Sequence, residues 1–261
     1  MSLSLEIAKE IEDLLKKIVR DKLNTYRPET DYMPFHYRLL GKDRYAMFSF
    51  IHSMNTTFGM SIWEQVALIL AKGRGSYAER QFKLLGEIDN DTEKLIQDVL
   101  YKLRKGEIHV NKKEEIEKIR KSIKSGKAIK HPDSIVDLYV KIENQENFFD
   151  ITSAKPNIKE FESLKLKLLR WTALRLSQDN TANIFTRLAI PYNPYYPEDY
   201  ERWTLRGLYD LENGEILIGE EFWNFVACEN VYNYLLDVFQ KVGEELREEI
   251  DRKFLEFKKI Y

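Results

Sequence analysis

Asp137, Asp150 and Lys155 are the residues whose types and spacing suggest chemistry. Both acids interrupt apolar runs: Ile135-Val136 precedes Asp137 and Leu138-Tyr139-Val140 follows it, while Asp150 sits between Phe148-Phe149 and Ile151. A charge in such a run is costly unless it is paired or holds a metal. Two carboxylates on adjacent strands can grip a divalent cation such as Mg2+, which takes oxygen ligands and keeps waters. The bound ion acidifies water, and a lysine nearby orients or deprotonates that water and stabilises developing charge. Hydrolysis of a phosphodiester needs both.

A β-hairpin must position these groups. Residues 135–157 form two runs rich in Val, Ile, Tyr and Phe around a polar cluster at 143–147. A turn centred near Glu143-Asn144 sets Asp137 across from Asp150. A turn centred near Gln145 sets it across from Ser153-Ala154, in a Ser153-Ala154-Lys155 frame that needs a carboxylate from Glu160, Glu162 or Glu64. Asp133 precedes the strand and is the weaker first acid.

Around the hairpin, apolar residues at helical spacing predict helices over 3–24, 61–72, 76–104 (with a turn near 86–90 and a capping box at Asp91-Thr92-Glu93-Lys94), 112–124 and 158–178, and one or two over 230–258. The first packs or forms part of a dimer surface. Short strands are expected at 183–190 and 215–219, with a helix opening at Glu220, and the sheet should begin near Ser134. Ser61 reads as an N-cap. Glu64, in that same helix, is either a partly exposed N-terminal acid favoured by the helix dipole or an extra ligand or water-holder of the metal site. Asn55, Thr56 and Thr57 before Gly59 read as a loop that meets a phosphate or closes a turn. His36 and His52 read as core histidines, too isolated for metal ligands. The pattern is α/β, α+β by content, in a single domain over 1–261. Residues 1–130 are mainly helical, 131–225 hold the sheet core and a reading loop, and 226–261 are C-terminal helices.

That loop, Pro191-Tyr192-Asn193-Pro194-Tyr195-Tyr196-Pro197, leads into Tyr200-Glu201-Arg202-Trp203-Thr204-Leu205-Arg206. Asn193, Tyr195, Arg202 and Arg206 suit stacking and base-edge or phosphate contact. Net charge is only −2 over 261 residues, so any nucleic-acid surface must be local. Two stretches qualify: 102–130 has 11 Lys/Arg against 4 Asp/Glu, and 155–175 has 6 against 2. The one cysteine, Cys228, excludes an internal disulfide and fits a reducing cytoplasm. No apolar run reaches bilayer length, so no membrane partner is expected.

Several segments carry a wider resemblance. The frame Asp137…Asp150-Ile151-Thr152 resembles the PD-(D/E)XK nuclease core, in which acid–x–lysine lies on the second strand. MPFHYRLLGKDR at 33–44, FSFIHSMNTTFG at 48–59, AKPN at 154–157, IPYNPY at 190–195, YERWTLRGLYDLENG at 200–214 and GEEFWNF at 219–225 resemble the TdeIII/MjaII-type type II restriction endonucleases. The resemblance implies a mixed sheet flanked by helices and Mg2+-dependent, site-specific cleavage of double-stranded DNA at GGNCC by a homodimer. Asn55 and Asn157 fall in matching segments and join the expected DNA contacts. The pattern's lysine falls at Thr152, which supplies no charge. Either Lys155 substitutes for it, brought round by a bulge or by the strand's end at Pro156, or the chain binds DNA without cutting.

Overall fold

The computed structural model describes residues 3–27, 33–123, 128–129, 134–200, 205 and 207–260. They form two compact units, 1–69 with 231–261, and 70–230.

The first unit is helical: α1 (Leu5–Thr25), α2 (Pro34–Leu40), α3 (Lys42–Thr57), the start of α4 (Trp63–Gly73), and two C-terminal helices, labelled α9 (Tyr232–Glu245) and α10 (Arg247–Ile260). Ser4 caps α1 by accepting from Ile7 N–H at 3.2 Å. Its core includes Leu23, Ala46 and the edge-on rings of Tyr26, Phe50 and Phe257. The loop expected at 55–59 is helical. One π-helical turn, Phe58–Ile62, joins α3 to α4 without a break, so Ser61 caps nothing and its hydroxyl accepts from Gln65. Glu64 is 3% exposed, not a solvated helix acid. His36 and His52 are exposed, each against an aromatic ring (Tyr45 and Phe48), not core residues.

The second unit holds a five-stranded sheet in the order β1 (Tyr77–Lys83), β4 (Ile135–Ile142), β5 (Gln145–Ile151), β6 (Ile184–Ile190), β7 (Ile216–Ile218). The first three strands run antiparallel and the last three parallel. A separate ladder pairs β2 (Ile88–Asp89) with β3 (Ala128–Ile129). Helices α5 (Asn90–Lys105) and α6 (Lys112–Ser122) precede the hairpin. Helix α7 (Ile158–Gln178) crosses over between β5 and β6, and α8 (Glu220–Ala227) follows β7. This is the expected mixed sheet flanked by helices.

The sheet begins earlier than Ser134: residues 77–83, expected to be helical, are the edge strand β1. An edge strand has a neighbour on one side only and tolerates charge, so its sequence lacks an apolar run. Gln81 also has φ +50°. Next to it, Phe82 lies against Tyr139 at 4.7 Å and packs on the core. Likewise, the cap of α5 is Asp89, which accepts from Asp91 N–H and Thr92 N–H, and not the 91–94 box.

Helix α7 organises one sheet face. Asn157 and Glu160 form a reciprocal capping box at its start. Phe161, Leu168, Trp171 and Leu174, all fully buried, pack with Tyr139 and Phe148 of the sheet. Phe149 turns to the other face, against Phe222 and Phe225 of α8. Gly86 lies so close to α7 that a Cβ there would fall within the van der Waals radius of the Leu174 carbonyl.

Candidate active site at the end of the central strands

The hairpin turn is Glu143-Asn144, and Leu138 pairs with Phe149. Continuing that register puts Asp137 opposite Asp150, the first of the two frames above. Directly opposed residues carry Cβ atoms about 4.5–5.5 Å apart, and like charges there repel. Two features offset the repulsion. Asp137 Oδ2 accepts from Ile151 N–H at 2.8 Å. Asp150, buried at 4% exposure, forms an ion pair through Oδ2 with Lys167 Nζ of α7.

Lys167 was not singled out from sequence, where it is one of several lysines along α7. Its position follows from how α7 returns along β5. Eight residues on, Arg175 grips Glu146 at 2.6 and 2.8 Å; four residues back from Asp150 is that same Glu146. Eight helical residues and four strand residues are both about 12–13 Å long, so the two pairs share one register. The Lys167 ammonium also sits 4.8 Å above the ring of fully buried Trp171. Gln81 is the second residue missed. Arg80↔Leu138 and Phe82↔Val136 bracket it, which places it across from Asp137 on β1. A non-glycine residue at positive φ beside a candidate site is the kind of local strain that functional sites store.

The two carboxylates are hard oxygen donors, and such a pair fits a Mg2+ ion that keeps most of its waters. Among the described residues no third His, Cys, Asp or Glu joins them in a metal-binding group. Asp137 and Asp150 are the residues that would hold it.

The other sequence candidates divide by place. Thr152 extends the parallel ladder, its N–H donating to Ala189 O at 3.0 Å. Lys155 is exposed, with Nζ 4.8 Å over the Tyr195 ring. Tyr195 in turn meets Tyr200, whose hydroxyl donates to Ala154 O at 2.9 Å. Asn193 spends both ends of its amide on the loop, accepting from Tyr195 N–H and donating to Glu198 O. Thus 152–157 and 191–200 are stitched together beyond the C-terminal ends of β5 and β6, where α/β sheets bind ligands. Asn157 is there as the cap of α7. Glu64 and the exposed Asn55 belong to the helical unit. Arg202, Arg206 and Asp133 lie outside the described residues.

Under the site, α7 carries a second ion cluster. Lys165, with no exposed side chain, meets Glu115 at 2.7 Å and both oxygens of Glu215 at 2.8 Å. Lys112, equally buried, meets Glu215 at 2.8 Å. The Lys112 backbone donates to Asp210 at 2.8 Å, and Asp210 N–H donates to Glu215 at 2.9 Å. Burial alone would raise the Glu215 carboxyl, but Lys112 and Lys165 outweigh it and hold it at about 2. Burial pushes Lys112 down because Glu215 is the only carboxylate its ammonium grips among the described residues, whereas Glu215 and Glu115 together keep Lys165 above its ordinary value. Burial pushes Glu115 up. Tyr209, whose hydroxyl donates to Phe161 O at 2.6 Å, is raised by burial and then by Glu215 and Asp150, so it stays a phenol between the two clusters.

Comparison with known proteins places this architecture. A family model described as "Type II restriction endonuclease, HinfI" matches residues 3–243. The type II restriction enzyme HgiCII of Herpetosiphon aurantiacus is 27% identical over 230 residues, 86% of this chain and 82% of that protein. HgiEI of the same organism is 24% identical over 272 residues, covering 95% and 97%. The type II restriction enzyme MjaII of Methanocaldococcus jannaschii is 24% identical over 212 residues, 77% of this chain and 56% of that protein. The resemblance to type II restriction endonucleases carried by the sequence motifs is borne out. With its model spanning nearly the whole length, the chain belongs to the HinfI family of type II restriction endonucleases.

Proposed function

We propose that this chain is a Mg2+-dependent, site-specific deoxyribonuclease that cuts double-stranded DNA at GGNCC. The observation that supports it most directly is the alignment of Asp137 with Asp150 at the open end of the central strands, in a chain of this family. A bound ion would acidify a water and screen charge on the phosphoryl group. The residues themselves do the rest. Asp150 and Asp137 would hold that ion beside the scissile phosphate. The segment 191–200, folded onto 152–157, presents Tyr195 and Asn193 at the same end, with Arg202 and Arg206 following in sequence as base and phosphate readers.

A two-fold symmetric recognition sequence calls for a two-fold symmetric protein, so the acting species is a homodimer. Exposed Phe35, Leu39, Phe48 and Ile51 on α2 and α3 offer apolar surface for it. Among the described residues no helix is long and apolar enough to cross a membrane, and the chain acts in the cytoplasm.

Digestion of plasmid DNA with purified protein tests this. Discrete fragments with ends inside GGNCC are expected with Mg2+ and none with a chelator; ends mapping elsewhere would refute the site. Thr152 favours a second reading, a DNA-binding protein without cleavage. Retention of GGNCC duplex with no fragments at any Mg2+ concentration would select it.

A further inference from the structure

We propose that Lys167 is the catalytic amine of this endonuclease, reaching the site from α7 in place of a lysine at position 152. The inference rests on the endonuclease reading above and adds a residue to it. Lys167 Nζ contacts Asp150 Oδ2, so it stands where a strand-borne lysine would have to arrive. Its side chain is 25% exposed beside the Asp150 side chain at 6%, which leaves the ammonium at the mouth of the site. The Trp171 ring beneath it holds the charge from the other side, at 4.8 Å. The Arg175–Glu146 pair fixes the helix against the strand, so Lys167 is delivered by a docked helix and not by a loose loop. Lys155, the nearest lysine in sequence, is directed at Tyr195. Lys165, the other lysine of α7 near the site, is enclosed by Glu115 and Glu215.

An ammonium carries three donors, so the Nζ that holds Asp150 can also meet a phosphoryl oxygen or the attacking water. In the hydrolysis, the water oxygen bonds to phosphorus and the ester P–O bond breaks. The water's proton passes to solvent, and the departing ester oxygen takes a proton from solvent. Lys167 Nζ donates to the phosphoryl oxygens and stabilises the extra negative charge that develops on them.

Four proteins test the assignment: parent, Lys167→Ala, Lys155→Ala and the double variant Thr152→Lys/Lys167→Ala. Each is assayed by melting, by retention of a GGNCC duplex without Mg2+, and by single-turnover cleavage with Mg2+. Lys167→Ala should keep melting and retention but lose roughly 100-fold or more in cleavage, with a smaller loss in Lys155→Ala. The double variant should recover about 10-fold or more over Lys167→Ala, because it returns an amine to the same carboxylate, which a merely structural lysine would not do. Lys167→Ala cutting within about threefold of the parent, a larger loss in Lys155→Ala, or no recovery in the double variant would overturn the assignment. Should Lys167→Ala not fold, Lys167→Arg, which keeps the ion pair, takes its place with the same expected loss. A parent that retains the duplex but never cuts it overturns the endonuclease reading instead, and the two failures are told apart.

Discussion

Lys165 and Lys167 lie two residues apart on one helix and meet different surroundings. Two residues turn a helix by about 200°, enough to send neighbours of the same type to different sides. Lys165 is enclosed: two carboxylates saturate it, and Lys112, Asp210 and Tyr209 close the space around them. Lys167 meets the Asp150 carboxylate and the Trp171 indole at a rim that solvent reaches. The difference is closure. An ammonium whose three donors all meet protein acceptors, as those of Lys165 do, can only hold the fold together. One that opens at the end of parallel strands can hold something else as well.

That contrast predicts opposite phenotypes. The largest effect is expected inside. Lys165→Met leaves Glu215 and Glu115 buried with too little positive charge, and chemical denaturation should show a loss of about 3–5 kcal/mol. A loss under 1 kcal/mol would mean that the cluster is not closed. At the rim, Asp150→Asn or Asp137→Asn should lower cleavage roughly 100- to 1,000-fold, with the melting temperature nearly unchanged. A large drop in melting temperature would place these acids with the fold instead of the chemistry.

Acid offers a finer separation. Glu215 titrates near 2 in the folded chain against an ordinary 4.5. Its contribution is therefore fully present above pH 4.5 and fades as pH falls toward 2, on the order of 3 kcal/mol. Glu115, raised by burial, works in the opposite sense and offsets part of it. A stability–pH curve for Glu215→Gln should thus be flatter between pH 5 and 2 than the parent's, and parallel curves would contradict the assignment. The smallest effect is at the helix start. Asn157→Ala removes the capping box and should cost about 1 kcal/mol, with cleavage reduced only through a less firmly seated α7.

Much of this arrangement is legible in the sequence. The limits of α7, the hairpin and β6 follow from apolar spacing, because each packs on the core along its whole length. The choice between the two hairpin registers is made by tertiary packing, Tyr139 on Phe148 at 4.9 Å. Strand β1 escapes sequence reading because polar and charged residues, Glu79, Arg80, Gln81 and Lys83, fill most of it, so its alternation in burial has no matching alternation in hydrophobicity. The 55–59 stretch escapes because a single π turn carries the helix across residues that otherwise favour a loop. Lys167 escapes for a different reason. Lys159, Lys165 and Lys167 all lie on α7, and only the docking of that helix on β5 selects which one meets Asp150. The faint signal was Arg175, two turns on, with Glu146 four residues before the second acid.

Gly86 touches no substrate-facing group, yet it lies against the carbonyl of Leu174, one residue ahead of Arg175. A methyl group there meets rigid backbone, so the beam that carries both lysines must tilt or lift to admit it. The smallest possible side chain, added far from the scissile bond, would then misalign the cutting edge and the hidden charge knot in a single stroke.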